Sequence, residues 1–369
     1  MEKAGSTHRR RLFRRPGPVG WLLVLSASAA IVAAAGAPRG DHEARSDEDR
    51  PVGQMACDDQ QNPVWSLAFS PDGTTLASAT ISGEVWLKDF GTRHRALIQR
   101  GAMGTSPSVA FSPDRRALAI GGGGPVVRIL DTASGEDLEP LRPDGEHNAR
   151  LVAFSADGRY LASGGFGAVA IVWDWASRRR LGAVAGHGGG ITALAFSPDG
   201  SVLATGDSAG VVKLTDIPAG TVRASFRAHS VGNGVTTLAF SSDSALVATA
   251  SYLEAAVRFW SAADGGSRGQ VPGMKPGVRA MAFSPAEALL ALASEDGATV
   301  LWGIAESRML GTVRANDRGF QAVAFSADGR TLATGGNDGQ VRLWDRGQVL
   351  EAGTRARDGS ALVRTSPDH

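Results

Sequence analysis

Gly206-Asp207-Ser208-Ala209-Gly210 fits the G-x-S-x-G pattern of a nucleophile elbow, and His187-Gly188-Gly189-Gly190 fits the H-G-G-G pattern of an oxyanion loop. Acyl transfer is the chemistry such a pair would perform. An elbow needs a strand entering a sharp turn and a helix leaving it, so that the serine stands exposed. Here Val211-Val212-Lys213-Leu214 follows, an alternation that reads as a strand, so the segment reads as a hairpin tip. Gly121-Gly122-Gly123-Gly124 lacks the Gly-Lys-Ser/Thr sequel of a phosphate loop and reads as a turn. His8, His42, His94, His147, His187, His229 and His369 show no i, i+3 or i, i+4 pairing. Cys57 is the only cysteine, which excludes an intrachain disulfide and a Cys-rich zinc site, and it reads as an inert buried thiol. Arg178-Arg179-Arg180 reads as a solvated basic turn. These motifs lead to no expected catalytic residue, cofactor or metal, and the chain is not expected to be an enzyme.

The elements that carry them are legible from composition onward. In 369 residues, 38 basic side chains nearly balance 37 acidic ones, but the ends differ. Residues 1–39 hold seven basic residues and one acid, which leaves 31 basic against 36 acidic, net −5, for residues 40–369. A mildly acidic body argues against a nucleic-acid partner held by a basic face. At 43% hydrophobic and 20% charged the composition is globular, and 48 glycines with 17 prolines imply many turns.

The amino terminus is of another kind. Residues 1–18 are basic, and residues 19–37 (VGWLLVLSASAAIVAAAGA) carry no charge. As a helix this run would span roughly 28 Å, close to a bilayer's hydrocarbon thickness. The arginines before it predict an amino terminus left in the cytoplasm. Arg10-Arg11-Leu12-Phe13 looks like part of a twin-arginine export signal, and Ala33-Ala34-Ala35 or Ala35-Gly36-Ala37 fits a small-x-small cleavage rule. The run reads equally as a retained transmembrane anchor and as a cleaved signal. Either way the body is expected outside the cytoplasm, membrane-attached or secreted. Residues 38–50 read as a polar linker and residues 355–369 as a polar tail.

The body repeats itself. Ala-Phe-Ser-Pro-Asp-Gly begins at Ala68 and again at Ala195, with degenerate copies at Ala110, Ala153, Ala239, Ala282 and Ala324. The phenylalanines are Phe69, Phe111, Phe154, Phe196, Phe240, Phe283 and Phe325, spaced by 42, 43, 42, 44, 43 and 42 residues. In each copy an alternating run leads into Phe, a Ser-Pro-Asp-Gly turn follows, and then come a short apolar strand, a hairpin tip and a third strand. A fourth run precedes the next copy. Four short strands per 40–45 residues is a propeller blade.

With Trp-Asp at Trp173-Asp174 and Trp344-Asp345, lone tryptophans at Trp260 and Trp302, and Gly-His at Gly186-His187, residues 52–352 resemble the WD-repeat β-propellers, of bacterial type. The resemblance implies an all-β, seven-bladed, monomeric propeller in residues 51–354, and the apolar run before it reads as an N-terminal helix. It also implies structural roles for the repeated phenylalanines, Trp173, Trp344 and His187. Because Ala209 stands where the family has its hairpin aspartate beside Gly186-His187, no blade is expected to hold the family's full Asp–His–Ser/Thr–Trp set. The last blade needs an outer strand. Residues 52–56 are favoured for it over 348–352.

The resemblance further implies a scaffold for an unidentified protein or peptide partner. The alternative is a propeller enzyme or ligand sensor that uses the central channel. The position four before each phenylalanine holds Trp65, Pro107, Arg150, Thr192, Thr236, Arg279 and Gln321, differing from blade to blade on a constant frame. Trp65, Arg150, Arg279 and Gln321 are candidate contacts, Trp and Arg being the commonest interface anchors. Phe166 and Tyr252, at hairpin tips, are candidates on the same argument.

Overall fold

A computed structural model describes residues 54–59, 62–99, 107–143, 148–314 and 318–357. The expected N-terminal segments 1–18, 19–37 and 38–50 lie outside them, as does the expected tail 355–369 from residue 358 on, while its residues 355–357 are helical. Among the described residues no helix is long and apolar enough to cross a membrane.

The described residues form seven antiparallel four-stranded sheets. Blade four shows the plan, with strands Ile191–Phe196, Val202–Asp207, Val211–Asp216 and Val222–Arg227 hydrogen-bonded in that order. The repeated turn after the phenylalanine explains why each copy folds alike. In blade one the buried Ser70 hydroxyl donates to Asp72 Oδ1 at 2.6 Å and accepts from Thr75 N at 2.9 Å, closing the hairpin from inside. The same serine-to-aspartate bond recurs at Ser112, Ser155, Ser197, Ser241 and Ser326, between 2.5 and 2.6 Å. That bond is the main reason why the carboxyls of Asp72, Asp114, Asp199, Asp243 and Asp328 lie below their ordinary range. Blade six has Ala286 in that place.

The core lies between blades. Each apolar cluster joins the faces of two neighbouring sheets, as where Ala204 and Leu214 of blade four meet Leu238 and Val247 of blade five. A comparable cluster joins blade seven, through Ala333 and Leu343, to Val64 and Leu76 of blade one. The first strands of successive blades touch in order all the way round, the seventh against the first. The sheets therefore close into a ring with those strands innermost.

Closure is made by the amino-terminal strand. Gln54–Asp59 pairs antiparallel with Gln340–Asp345, Cys57 opposite Arg342 and Asp59 opposite Gln340, and supplies the outer strand of blade seven. Residues 348–352, the competing candidate, lie instead in a helix, Arg346–Arg357. The reason is local: Asp345 Oδ1 accepts from Gln348 N at 2.9 Å, an N-cap that turns the chain out of the sheet. The helix packs on the outer strand of blade six, Arg308–Arg314, with Val349 buried. Contact is close enough that a Cβ on Gly311 would come 3.0 Å from Val349 O.

Candidate interaction face

Antiparallel order within a blade puts three things on one face of the ring: the start of the innermost strand, the tip between the second and third strands, and the loop arriving from the previous blade. All the candidate contacts lie there. The position four before each phenylalanine is special for a backbone reason. Trp65, Thr192, Arg279 and Gln321 each fall at the register shift between first and second strands, at Val64/Ser66, Ile191/Ala193, Val278/Ala280 and Phe320/Ala322. Pro107, Arg150 and Thr236 immediately precede strands that begin at Ser108, Leu151 and Thr237. A residue with no cross-strand partner is free to vary, and bulges commonly aim side chains at a rim.

The candidates meet in two groups. In blade three the Arg150 guanidinium carbon lies 5.4 Å from the centre of the Phe166 ring, and that ring is 66% exposed. Between blades five and six, Arg279 stacks on Tyr252 at 3.8 Å and reaches Glu295 Oε1 at 3.3 Å, while the Tyr252 hydroxyl donates to Glu295 Oε2. That bond, with burial, raises the tyrosine's pKa. Tyr252 is thus half-buried and clamped, not a free aromatic. Trp65 is half-buried and apart from both groups, and Gln321 is buried at 6% exposure, which removes it from the accessible rim. Two exposed side chains on this face escape sequence reasoning, Val231 at 83% and Leu253 at 58%. Val231 stands in a polar loop and Leu253 at a hairpin tip beside Tyr252, both outside any periodic frame.

Behind this face two histidines are fixed. In blade four His187 Nδ1 is 3.0 Å from Asp207 Oδ2 and Nε2 is 2.8 Å from Thr205 Oγ1, all buried. The carboxylate therefore comes from Asp207, two residues before Ala209. The fourth place is Thr215, whose hydroxyl is buried without a hydrogen-bond partner. No described blade holds that set with aspartate, but blade five holds an equivalent with glutamate. There His229 bridges Glu254 Oε2 at 2.9 Å and Thr249 Oγ1 at 3.1 Å, and Trp260 Nε1 donates to Thr249 Oγ1 at 2.9 Å. Glutamate does the aspartate's work from a longer hairpin. Burial, more than anything, pushes both histidines below their ordinary pKa, with Asp207 and Glu254 opposing it, so the rings are neutral. Neutral rings donate from Nδ1 to the carboxylate and accept at Nε2. Elsewhere Trp173 and Trp344 donate to Ser163 and Thr334 at 3.1 and 2.8 Å.

The elbow-like segment is strand, tight turn, strand: Val202–Asp207 leads through Ser208-Ala209-Gly210 into Val211–Asp216. Gly121 packs under Arg150, where a Cβ would come 2.5 Å from Arg150 O. Arg178, at φ 58°, stacks on Trp175 at 3.3 Å, and Arg179 and Arg180 are exposed at the start of the next strand. No group of three or more His, Cys, Asp or Glu that could hold a metal ion occurs among the described residues.

Seven radial four-stranded blades around one ring define a β-propeller. The family model for "WD domain, G-beta repeat" matches residues 52–87, 146–174, 178–216, 220–261 and 307–345, half of the chain. The chain belongs to that WD40 repeat family. A chain of a solved structure titled "Crystal Structure of Mitotic Checkpoint Complex" superposes with a TM-score of 0.72 at 21% identity, covering 85% of this chain and 98% of that one. At that identity the likeness is one of fold. No curated protein sequence matches the chain. Propellers of this family typically serve as protein-interaction scaffolds.

Proposed function

We propose that the chain is a non-catalytic protein-interaction scaffold whose propeller is displayed outside the cytoplasmic membrane. The observation that carries the scaffold reading is the rim itself. Residues without ladder partners vary around a constant frame, and Arg150 with Phe166, Arg279 with Tyr252, and the exposed Val231 and Leu253 share one face. The display reading rests on the uncharged run 19–37 behind its arginines, as either anchor or bacterial-type export signal. Photo-crosslinking residues placed at Phe166 and Leu253, and at Met309 on an outer strand as control, test the scaffold in the producing cell. Defined protein adducts from the two face positions and none from Met309 are expected. Equal labelling from all three would contradict a dedicated face. Fractionation tests the display, and full-length protein found in the cytosol would contradict it.

A further inference from the structure

Among the described residues Arg150 is a charged group without a counter-charge. Its Nε is buried without a hydrogen-bond partner, and no acid bridges to it among the described residues. Its neighbours on the same face differ: Arg279 has Glu295, Arg258 has Glu254 and Arg314 has Asp296. A part-buried guanidinium without a counter-charge is unfavourable for the free protein. Gly165 packs against its stem, where a Cβ would come 3.1 Å from Arg150 Cβ.

From Arg150 the loops run on as one surface. A Cβ on Gly190 would lie 2.8 Å from Phe166 O, and one on Gly234 2.9 Å from Ser208 Cα, so the loops of blades three, four and five abut in turn. Asn233 Nδ2 then donates to Glu254 Oε1 at 3.1 Å, joining the next tip. Along this track Phe166, Val231 and Leu253 are the exposed apolar groups. The described acids beside it are already engaged. Asp207 is held by His187 and backbone amides, and Glu254 by His229, Ser230, Asn233 and Arg258. Lys213 and Arg227 donate only to backbone carbonyls, those of Ala185 and Ala209. On an acidic body, this track offers unmatched positive charge next to apolar side chains.

We infer that the track binds an extended acidic peptide of a partner protein, a carboxylate side chain pairing with Arg150 and apolar side chains lying on Phe166, Val231 and Leu253. The inference rests on the scaffold reading and adds the chemistry of the partner. Charged hydrogen bonds of this type are strong where water is largely excluded, and aromatic anchors beside them dominate such contacts.

The test is selection of a random short-peptide display library on the full-length protein, followed by titration of the enriched peptides against Arg150→Met and Phe166→Ser. Enriched peptides should share an Asp or Glu within a few residues of aromatic or aliphatic ones. Their Kd should weaken about tenfold or more in each variant and with added salt. Arg150→Met should melt no lower than the parent, because the charge it removes is unmatched. Peptides without a shared acid, or bound equally by Arg150→Met, would overturn the inference while leaving a peptide-binding platform standing. A selection that enriches nothing would overturn it too, with the scaffold reading then decided by the crosslinks from Phe166 and Leu253. A large drop in the melting temperature of Arg150→Met would make Arg150 a structural strut and also overturn it.

Discussion

At the scale of single residues, the two buried imidazoles decide how the fold responds to acid. An unfolded histidine titrates near pH ~6.5, and His187 and His229 titrate lower in the fold because burial disfavours their charged form. Between those values the unfolded chain holds more protons than the native one, so acid favours unfolding. Stability should be whole above about pH 7 and fall as pH drops from 7 to 5. The urea midpoint measured across that range checks it, and a midpoint that rises on acidification would mean the rings are charged in the fold. Glu254 belongs to the same account. Burial works to raise its pKa, but the bonds from His229, Ser230 and Asn233 overcome that and hold it well below the carboxylate range. Glu254→Ala should therefore lose about 2 kcal/mol by chemical denaturation, because it leaves several donors without their acceptor. The relays show where sequence reading stops. His187 was legible from Gly186-His187, but its acid sits two residues off the family's position, at Asp207. Glu254 lies beyond an extended hairpin in blade five, so no fixed spacing could find it. Arg150 and Phe166 were legible one by one, while their contact depends on how two loops of blade three fold back on each other.

At the scale of elements, the Ser-Pro-Asp-Gly turn offers a clean comparison within one molecule. Blade six keeps Ser284 but has Ala286 where six other blades have aspartate, and Ala286 N is 3.4 Å from Ser284 Oγ. Ala286→Asp should restore the clamp and raise stability by about 1 kcal/mol. A thermal melt of the variant measures it, and a lower midpoint would show that blade six is packed differently. The helix Arg346–Arg357 gives the opposite prediction. A Cβ on Gly353 would strike the backbone carbonyl of Leu310, so Gly353→Ala should lift the helix from blade six and cost about 1–3 kcal/mol. Equal melts for variant and parent would mean that the helix is not docked in solution. This helix was not legible as such. Residues 348–352 read as a strand because the last blade needs one; the amino-terminal strand on that edge and the Asp345 cap separate the two outcomes. The bulges were hidden too, since a register shift shows in backbone pairing while in sequence it appears only as a position that varies.

At the scale of the whole molecule, seven equally spaced phenylalanines dictated a ring, and the open question was which segment closes it. The ring couples residues 54–59 to residues 340–345, far apart in sequence, through five paired positions. It also seats blade seven on blade one through Val64, Leu76, Ala333, Val341 and Leu343. Each sheet edge left open would expose backbone groups and loosen two neighbouring blades at once. The most direct test of the account is a pair of thermal melts, one on protein lacking residues 1–50 and one on protein lacking residues 1–59. The first should melt as the parent body does. The second should lose several kcal/mol, about 1 kcal/mol for each ladder bond together with its packing, and unfold as one lowered transition. Identical melts for the two proteins would contradict closure by the amino-terminal strand, and with it the single rigid ring on which the interaction face depends.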